Sequence, residues 1–398
     1  MIAITILAAI IALWLLLPTI ADLLNVVAAS RSAKPAGAAL PGRTRFHVLV
    51  PAHNEAEVIL ACLEELQRQD YANYAVTVIA DNCSDATAAM ARSAGAQCLE
   101  RHDLTRTGKP HAISWALGSI DLSASDAIVI VDADCEVAPD FLRELATAGA
   151  AADVAVQPYN GVSNPGANSL TLMAAVLSEA LHGIAFRLKA RAGRNVPLSA
   201  GMCVGTDIIR SQGWQSFSVG EDWETYARLT VQGIPILSAS AARLGALEAA
   251  NLREGASQRR RWTLGKLWVL RNFWKQILKS KRIAIGAKVD AIAELAQPGP
   301  ALQLGIVVIL CALLFITQPP GWMVLSGLIA ASLIRFAVFT AAAISRQRQP
   351  LRTLLSFGFL PVYVAWRLIA AARHLLGRGG GAWVRTGRES ARSRANAA

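Results

Sequence analysis

Two kinds of hydrophobic pattern divide the chain. Near-continuous apolar runs cover residues 2–29, 301–317 and 322–344, and runs of this kind are typical of helices that cross a hydrocarbon core of about 30 Å. A further apolar stretch, residues 351–376, contains three arginines and a histidine. Its uncharged part is short for a span, so crossing, re-entry and lying in the interface stay open.

Between these runs, short β-branched segments alternate with amphipathic ones. This alternation predicts an α/β domain with a mostly parallel sheet covered by helices. The predicted strands are residues 46–50, 75–80, 97–100 and 127–131, and the predicted helices are residues 55–69, 86–94, 109–120 and 223–231. Because the carboxyl ends of parallel strands meet at one edge, the polar residues that follow the first, second and fourth strands are expected to converge there.

Positive residues set the expected orientation in a membrane. Arg31, Lys34, Arg43 and Arg45 follow the first apolar run, so the positive-inside rule places the next part of the chain in the cytoplasm. No positive segment precedes that run and no convincing cleavage signal ends it, which favours an uncleaved anchor. We therefore expect an integral inner (plasma) membrane protein whose central domain is cytoplasmic.

Composition and charge agree with a membrane protein. Hydrophobic residues make up 54% of the 398 residues, charged residues make up 17%, and the formal net charge is +11. Many of the cations lie beside apolar runs or interleave with aromatic residues in residues 251–296, so anionic lipid headgroups are the expected partners rather than nucleic acid. The six cysteines show no Cys-x-x-Cys spacing, which argues against zinc and disulfides.

Candidate chemistry begins at Asp132 and Asp134, which follow the fourth predicted strand. Two carboxylates on a strand-to-loop bend suit a hard divalent cation that keeps positions for substrate phosphates. The pattern is weak by itself, because Asp-x-Asp is also common in solvated turns. Lys109 lies at a predicted helix start, where binding of a phosphate and simple exposure to solvent explain a lysine equally well. No Gly-x-Gly-x-x-Gly follows the first strand, which argues against a dinucleotide fold.

Five short motifs occur in a fixed order. They are residues 50–55 (VPAHNE), 81–85 (DNCSD), 132–134 (DAD), 221–222 (ED) and 258–262 (QRRRW). In this order and spacing they resemble the family 2 glycosyltransferases, in the membrane-bound branch that includes cellulose, chitin, hyaluronan and poly-N-acetylglucosamine synthases. The resemblance implies a GT-A fold, with a Rossmann-like sheet in a cytoplasmic domain flanked by N- and C-terminal transmembrane helices.

The resemblance also implies roles for individual residues. The residues that would hold the nucleotide-sugar are Ala52, Glu55, Asp81, Lys109 and Asp132. The residues that would surround the diphosphate and the acceptor are Gly201, Glu221, Gln258, Arg261 and Trp262. Asp134 would hold Mg²⁺ or Mn²⁺, and Asp222 would be the general base. A plainer reading of Glu221 and Asp222 is an acidic first helical turn, which the helix dipole favours, and both readings can hold together.

The implied organisation has five parts. They are an anchor at residues 1–29, a glycosyltransferase domain at 45–250, basic interfacial helices at 251–296, a membrane region at 301–376 and a basic tail at 377–398. The tail contains Trp383, Thr386 and Arg388 in a Trp-x-x-Thr-x-Arg ending that resembles many bacterial members of this branch.

The expected function is sugar transfer from a nucleotide-diphosphate sugar, by default UDP-linked, to a glycan or lipid acceptor in cell-envelope or extracellular polysaccharide or glycolipid synthesis. Direct displacement inverts the anomeric carbon and needs no protein nucleophile, which fits the lack of a Gly-x-Ser-x-Gly motif. If the enzyme is processive, its few membrane segments favour a secretion-pore partner or an oligomer. The alternatives are a membrane-anchored nucleotide-sugar-binding or scaffold protein without catalysis, and a transporter, which would need more spans.

Overall fold

The structure, a computed structural model, describes residues 1–31 and 43–375. Lys34 and the predicted basic tail at residues 377–398 lie outside the described residues. Within them, eight strands form one sheet: β1 (Phe46–Ala52), β2 (Tyr74–Asp81), β3 (Gln97–Arg101), β4 (Ala127–Ile130), β5 (Cys135–Val137), β6 (Ala155–Val162), β7 (Cys203–Gly205) and β8 (Ile236–Ala246).

The helices of the sheet domain are α2 (Ile59–Gln67), α3 (Thr87–Ser93), α4 (Lys109–Leu117), α5 (Phe141–Thr147), α6 (Ser169–Ser178), α7 (Phe186–Arg191), α8 (Thr206–Gln212) and α9 (Glu221–Gln232). The remaining helices are α1 (Ile2–Arg31), α10 (Leu252–Lys279), α11 (Ile285–Ala296), α12 (Pro300–Thr317), α13 (Trp322–Ala331), α14 (Ile334–Ser345), α15 (Pro350–Ser356) and α16 (Leu360–Leu375). The α/β alternation predicted for the first part of the domain is therefore present, with helix ends that differ by a few residues.

The strand order is β3-β2-β1-β4-β7-β6-β8-β5. The first four strands are parallel, as predicted, whereas β7 is antiparallel to both β4 and β6, and β5 is antiparallel to β8. The sheet is therefore mixed rather than mostly parallel throughout. The connection from β4 to β5 is too short for a helical crossover, so β5 cannot continue the parallel pairing and lies at the far edge instead.

Two hydrophobic layers cover the sheet. Side chains alternate along β1, so that Val48 and Val50 face the layer formed with α2 and α5, whereas Leu49 faces the layer formed with α4, α9 and α10. Leu49, Val48 and Val50 are fully buried. The second layer matters for the site, because it packs the long helix α10 against α9.

In residues 1–31 and 43–375, five helical stretches are long and apolar enough to cross a membrane. Four of them overlap the predicted runs: Ile2–Arg31, Pro300–Thr317, Trp322–Ser345 and Pro350–Arg373. Ala12 and Leu15 of the first stretch pack against Val307 and Ile329 of the second and third, so these helices form one bundle. The fourth stretch is broken by a 3₁₀ turn at Phe357–Phe359, and α16 packs along α12.

The fifth stretch, Ser169–Arg191, was not predicted. Asn168, just before it, donates to the Ala250 carbonyl beyond the end of β8 (2.6 Å). Asn195, just after it, donates to the Ile234 carbonyl and accepts from the Ile236 amide at the start of β8 (both 2.9 Å). The two ends of the helical stretch are thus hydrogen-bonded near the two ends of β8. The lengths of the helix and the strand agree, because 23 helical residues and 11 strand residues each span about 35 Å. This helix therefore runs beside the sheet.

A buried polar cluster joins this helix to α1, α10 and α11. The Lys189 ammonium lies 2.8 Å from Asp290 and 3.0 Å from Glu294, and all three side chains are at most 4% exposed. Asn25 of α1 donates to Asp290 (2.7 Å), and Lys266 of α10 lies 3.9 Å from Glu294. Burial alone would raise the pKa of Glu294, but the two lysines lower it to about 2. The cluster therefore fixes α1, α10 and α11 to the sheet domain.

Candidate active site

The loops that follow β1 and β2 are bonded to each other. The Asn54 carboxamide oxygen accepts from the Ser84 amide (2.7 Å), and the Asp81 carbonyl is 2.7 Å from His53 Nδ1. Asn54 and Asn82 both have left-handed backbones, with φ of 56° and 51°, and asparagine tolerates this conformation better than most residues. The two predicted motifs therefore meet at one edge of the sheet, as the parallel register requires.

Lys109 lies at the centre of the predicted site. Its ammonium is 2.6 Å from an Asp132 oxygen at the end of β4 and 3.4 Å from a Glu221 oxygen at the start of α9. Burial alone would lower the pKa of Lys109, but these two carboxylates outweigh it and hold the pKa above its usual value. Lys109 is thus a charged link between the DAD and ED motifs, which the sequence analysis did not foresee.

Asp222 is a partly buried carboxylate in the first turn of α9. Desolvation by burial raises the pKa of Asp222 to about 7, and the neighbouring charge of Glu221 acts in the same direction. The Trp223 amide donates to Asp222 (2.8 Å) and opposes the shift. A carboxylate with this pKa can remove a proton near neutral pH.

The DAD motif offers a cation two carboxylates. Ligand atoms of Asp132, Asp134 and Cys135 all lie within 4.8 Å of one another. Burial raises the pKa of the Cys135 thiol well above its usual value, so this group stays neutral and is a poor ligand for a hard cation. Two carboxylate oxygens fit Mg²⁺ or Mn²⁺ that completes its shell with water and phosphate.

Asp81 is in a buried ion pair. The Arg101 guanidinium lies 2.6 Å from the Asp81 carboxylate, and the two side chains are 5% and 7% exposed. Arg101 also lies 2.8 Å from Asp103 and donates to the Arg106 carbonyl (2.7 Å). The predicted third strand ended at residue 100, so this partner was missed, although the parallel register sets Arg101 directly beside Asp81.

An open cavity of about 390 Å³ lies next to this ion pair. Its lining comes from β3, α4 and the loop before α9, and includes Arg101, Asp103, Arg106, His111, Trp115 and Phe217. The rings of His111 and Phe217 are stacked, with centroids 5.0 Å apart. None of these lining residues was predicted, because they are scattered in sequence and belong to no short motif.

Gly201 is buried beside the end of β4. Its amide donates to the Ile130 carbonyl (2.9 Å) and its φ is 77°. A Cβ there would lie 1.9 Å from a Leu244 side-chain carbon and 2.9 Å from a Pro158 carbon. Tight packing thus requires glycine at this position, whatever its part in an acceptor pocket.

The QRRRW motif lies on α10. Gln258 and Arg261 are partly buried and Trp262 is 44% exposed. In the described part of the chain, no hydrogen bond or ion pair joins these three residues to Lys109, Asp132 or Asp222.

The next turn of α10 contacts the start of α9 directly. A Cβ on Gly265 would lie 2.9 Å from the Gly220 Cα, and Gly220 immediately precedes Glu221. The Lys266 ammonium lies 4.5 Å from the centre of the Trp223 ring. The structure therefore brings the motif helix to the helix of the predicted base, with two glycines allowing the close approach.

Comparisons with known proteins agree with this arrangement. The sequence model described as glycosyltransferase like family 2 matches residues 41–265. This is more than half of the chain, so the chain belongs to that family and is a glycosyltransferase. The resemblance noted from the motifs is thereby confirmed.

Two relatives illustrate the likeness. A segment of 101 residues is 35% identical to an N-acetylglucosaminyltransferase of Rhizobium leguminosarum bv. viciae, and it covers 25% of this chain and 24% of that protein. The mannosyltransferase PcManGT of Pyrobaculum calidifontis, solved with GDP-Man and Mn²⁺, is 19% identical with a TM-score of 0.57, over 95% of this chain and 99% of that chain. At this identity the second likeness concerns the fold.

Proposed function

We propose that this glycosyltransferase moves a sugar from a nucleotide-diphosphate sugar, by default UDP-linked, to a glycan or lipid acceptor, with inversion at the anomeric carbon. The observation that carries the proposal is the Asp222 carboxylate, whose pKa is raised to about 7, beside the ion pair of Lys109 with Asp132 and Glu221. The nucleotide-sugar and Mn²⁺ held by the Pyrobaculum enzyme support the same donor class.

Charge balance supports a cation at this site. Asp132, Asp134, Glu221 and Asp222 carry more negative charge than the Lys109 ammonium can balance, even when Asp222 is protonated. A nucleoside diphosphate adds further negative charge, which these residues alone would repel. Bound Mg²⁺ or Mn²⁺ would neutralise the diphosphate and make it a better leaving group. Asp134 is the predicted ligand, as the resemblance of the DAD motif implies.

The donor side of the proposal uses the loops after β1 and β2. Ala52, Glu55 and Asp81 would face the nucleobase and ribose, and the ion pair with Arg101 would hold the Asp81 carboxylate in position. The open cavity of about 390 Å³ beside them has a size typical of small-molecule sites.

The chemical step is a single displacement. Asp222 accepts the proton of an acceptor hydroxyl while the hydroxyl oxygen forms a bond to the anomeric carbon. The bond between that carbon and the diphosphate oxygen breaks, and the diphosphate leaves with the electron pair. Gly201, Glu221, Gln258, Arg261 and Trp262 would enclose the diphosphate and the acceptor sugar.

The membrane setting belongs to the same proposal. The basic residues after the first apolar run favour a catalytic domain in the cytoplasm, where the four remaining candidate spans anchor it to the inner membrane. This membrane setting gives the chain five parts. Their boundaries are at 1–29, 45–250, 251–296, 301–376 and 377–398. The products would serve cell-envelope or extracellular polysaccharide or glycolipid synthesis, with a secretion-pore partner or an oligomer if the enzyme is processive.

A donor screen tests the proposal. Purified full-length protein is incubated with individual nucleotide-sugars, Mg²⁺ or Mn²⁺, and a membrane extract as acceptor, and nucleoside diphosphate release is measured. We expect release with one donor class, together with a product heavier by one or more sugars in mass spectrometry. Binding of a nucleoside diphosphate without release from any donor would instead support the non-catalytic binding protein.

Replacing Asp134 by asparagine should weaken Mn²⁺-dependent binding of nucleoside diphosphate by at least about tenfold, because the variant loses a charged oxygen ligand. Titration calorimetry with Mn²⁺ and then with chelator measures this directly. Without Mn²⁺, the wild-type protein and Asp134→Asn should bind nucleoside diphosphate equally. The exposed Asp153 provides the control, and a similar loss in Asp153→Asn would contradict the assignment.

The rate of transfer should rise with pH through about 7, because Asp222 acts as a base only when it is ionised and its pKa is raised to about 7. At pH 5 only about 1% of such a carboxylate is ionised, so kcat/KM should fall by about 100-fold between pH 7.5 and pH 5. Initial rates across this range give the profile. A flat profile down to pH 5 would show that no group with this pKa is the base.

A further inference from the structure

An apolar cavity of about 270 Å³ lies among the membrane-side helices, away from the carboxylate cluster. It is bounded by α6, α12, α14, the 3₁₀ turn and α16. Its lining is almost entirely hydrocarbon and includes Met173, Leu304, Phe336, Leu360 and Tyr363. Four of the bounding elements, α12, α14, the 3₁₀ turn and α16, belong to the candidate spans at Pro300–Thr317, Trp322–Ser345 and Pro350–Arg373, so an occupant would enter from the hydrocarbon region.

Positive charge marks one end of this cavity. Arg259 of α10 belongs to the lining, forms an ion pair with Glu248, and its guanidinium lies 5.4 Å from the centre of the Tyr363 ring. Arg367, one turn further along α16, donates to the Thr263 hydroxyl (3.5 Å). Among the described residues, no carboxylate lies within 4.0 Å of the Arg367 guanidinium. Glu248 thus balances Arg259 but not Arg367, and the net positive charge of the pair of guanidinium groups suits an anionic phosphate.

The charged end is continuous with the active site along α10. Arg259 and Gly265 are six residues apart on this helix, a distance of about 9 Å along its axis. Gly265 packs against Gly220 at the start of the helix that carries Asp222. A headgroup at Arg259 would thus be within reach of the base.

We infer that this cavity holds a hydrocarbon chain of the acceptor, and that the acceptor is an anionic lipid whose phosphate lies at Arg259 and Arg367. The inference rests on the proposed function, because it names the acceptor class of the same site. The hydroxyl of the headgroup then faces Asp222, and the lipid stays in the membrane while sugar is added to it.

Photocrosslinking tests occupancy of the cavity. Full-length protein is placed in phosphatidylcholine nanodiscs that contain phosphatidic acid with a diazirine in one acyl chain. We expect labelling of peptides that contain Met173 or Leu360, and labelling at least tenfold weaker with phosphatidylcholine that carries the same diazirine. Equal labelling by the two lipids would show that the cavity only contacts bulk bilayer lipid, and it would overturn the inference.

Two variants locate the label. Leu304→Trp should fill the cavity and lower labelling at least tenfold, whereas Val308→Trp, one turn further on the same helix at a position 59% exposed, should not. Arg367→Gln should lower labelling by phosphatidic acid without adding bulk, which keeps the test valid if the tryptophan variant misfolds. Unchanged labelling in both Leu304→Trp and Arg367→Gln would contradict the inference.

Transfer assays separate this inference from the proposed function. Leu304→Trp should raise the KM for a lipid extract at least tenfold and leave nucleoside-diphosphate affinity unchanged. If labelling is specific but Leu304→Trp transfers sugar to the extract normally, the bound lipid is not the acceptor and the inference fails. If the wild-type protein releases no nucleoside diphosphate from any donor, the proposed function itself fails, whatever the labelling shows.

Discussion

Replacing Asp222 by asparagine should lower sugar transfer by about 10³-fold, the middle of the range for a lost general base. The amide keeps the size of the side chain but cannot accept a proton from the acceptor hydroxyl. Binding of nucleoside diphosphate should change little, since Asp222 is proposed to act on the acceptor. Initial rates and diphosphate affinity, measured on the same preparation, separate the two effects.

Asp207→Asn is the matched control for this variant. Asp207 also lies in the first turn of a helix, α8, and it is exposed. If Asp222 only complemented the helix dipole, both variants would transfer sugar at the wild-type rate, and the base assignment would be wrong.

Thermal unfolding shows whether the Asp222 variant is folded. Burial raises the pKa of Asp222 to about 7, above its ordinary value near 4. Between about pH 4 and about pH 7 the folded state therefore keeps a proton on Asp222 that the unfolded state releases. The free energy of unfolding consequently falls as the pH rises from about 4 to about 7. At pH 8 the unfolding temperature of Asp222→Asn should consequently be no lower than that of the wild type.

Replacing Lys189 by methionine should destabilise the folded protein by about 3–5 kcal/mol, because it leaves Asp290 and Glu294 buried without their closest cation. The three side chains are at most 4% exposed, so water cannot replace the lost partner. The unfolding temperature in detergent should fall clearly. Arg191→Met is the control, since Arg191 is exposed near the end of the same helix.

An equal, small effect in Lys189→Met and Arg191→Met would contradict the view that this cluster holds α1 and α11 to the sheet domain. The cluster also touches α10 through Lys266, which lies over Trp223 beside the predicted base. Loss of Lys189 is therefore expected to lower transfer as well, in proportion to the unfolded fraction.

Local pattern predicted the sequence-adjacent parts of the site well. The motif residues after β1, β2 and β4 converge because β-branched runs and parallel register bring three strand ends to one edge. One interpretation of the ED motif was an acidic first turn of a helix, and the motif does lie in the first turn of α9.

Features that depend on distant contacts were not predictable in this way. β5 and β7 have only three residues each and carry no periodic signal. The ion pairs of Lys109 and Arg101, and the Gly220 contact with Gly265, join residues that no short pattern relates. Ser169–Arg191 has the hydropathy of a span but lies beside the sheet, because hydrogen bonds at both of its ends fix it there.

The anomeric configuration of the product tests the central claim most directly. The claim is that one displacement, assisted by Asp222, transfers the sugar without a protein nucleophile. With an α-linked nucleotide-sugar, NMR of the first product formed should show a β-linked sugar. A first product with the α configuration of the donor would contradict a single displacement, and with it the role of Asp222 in this site.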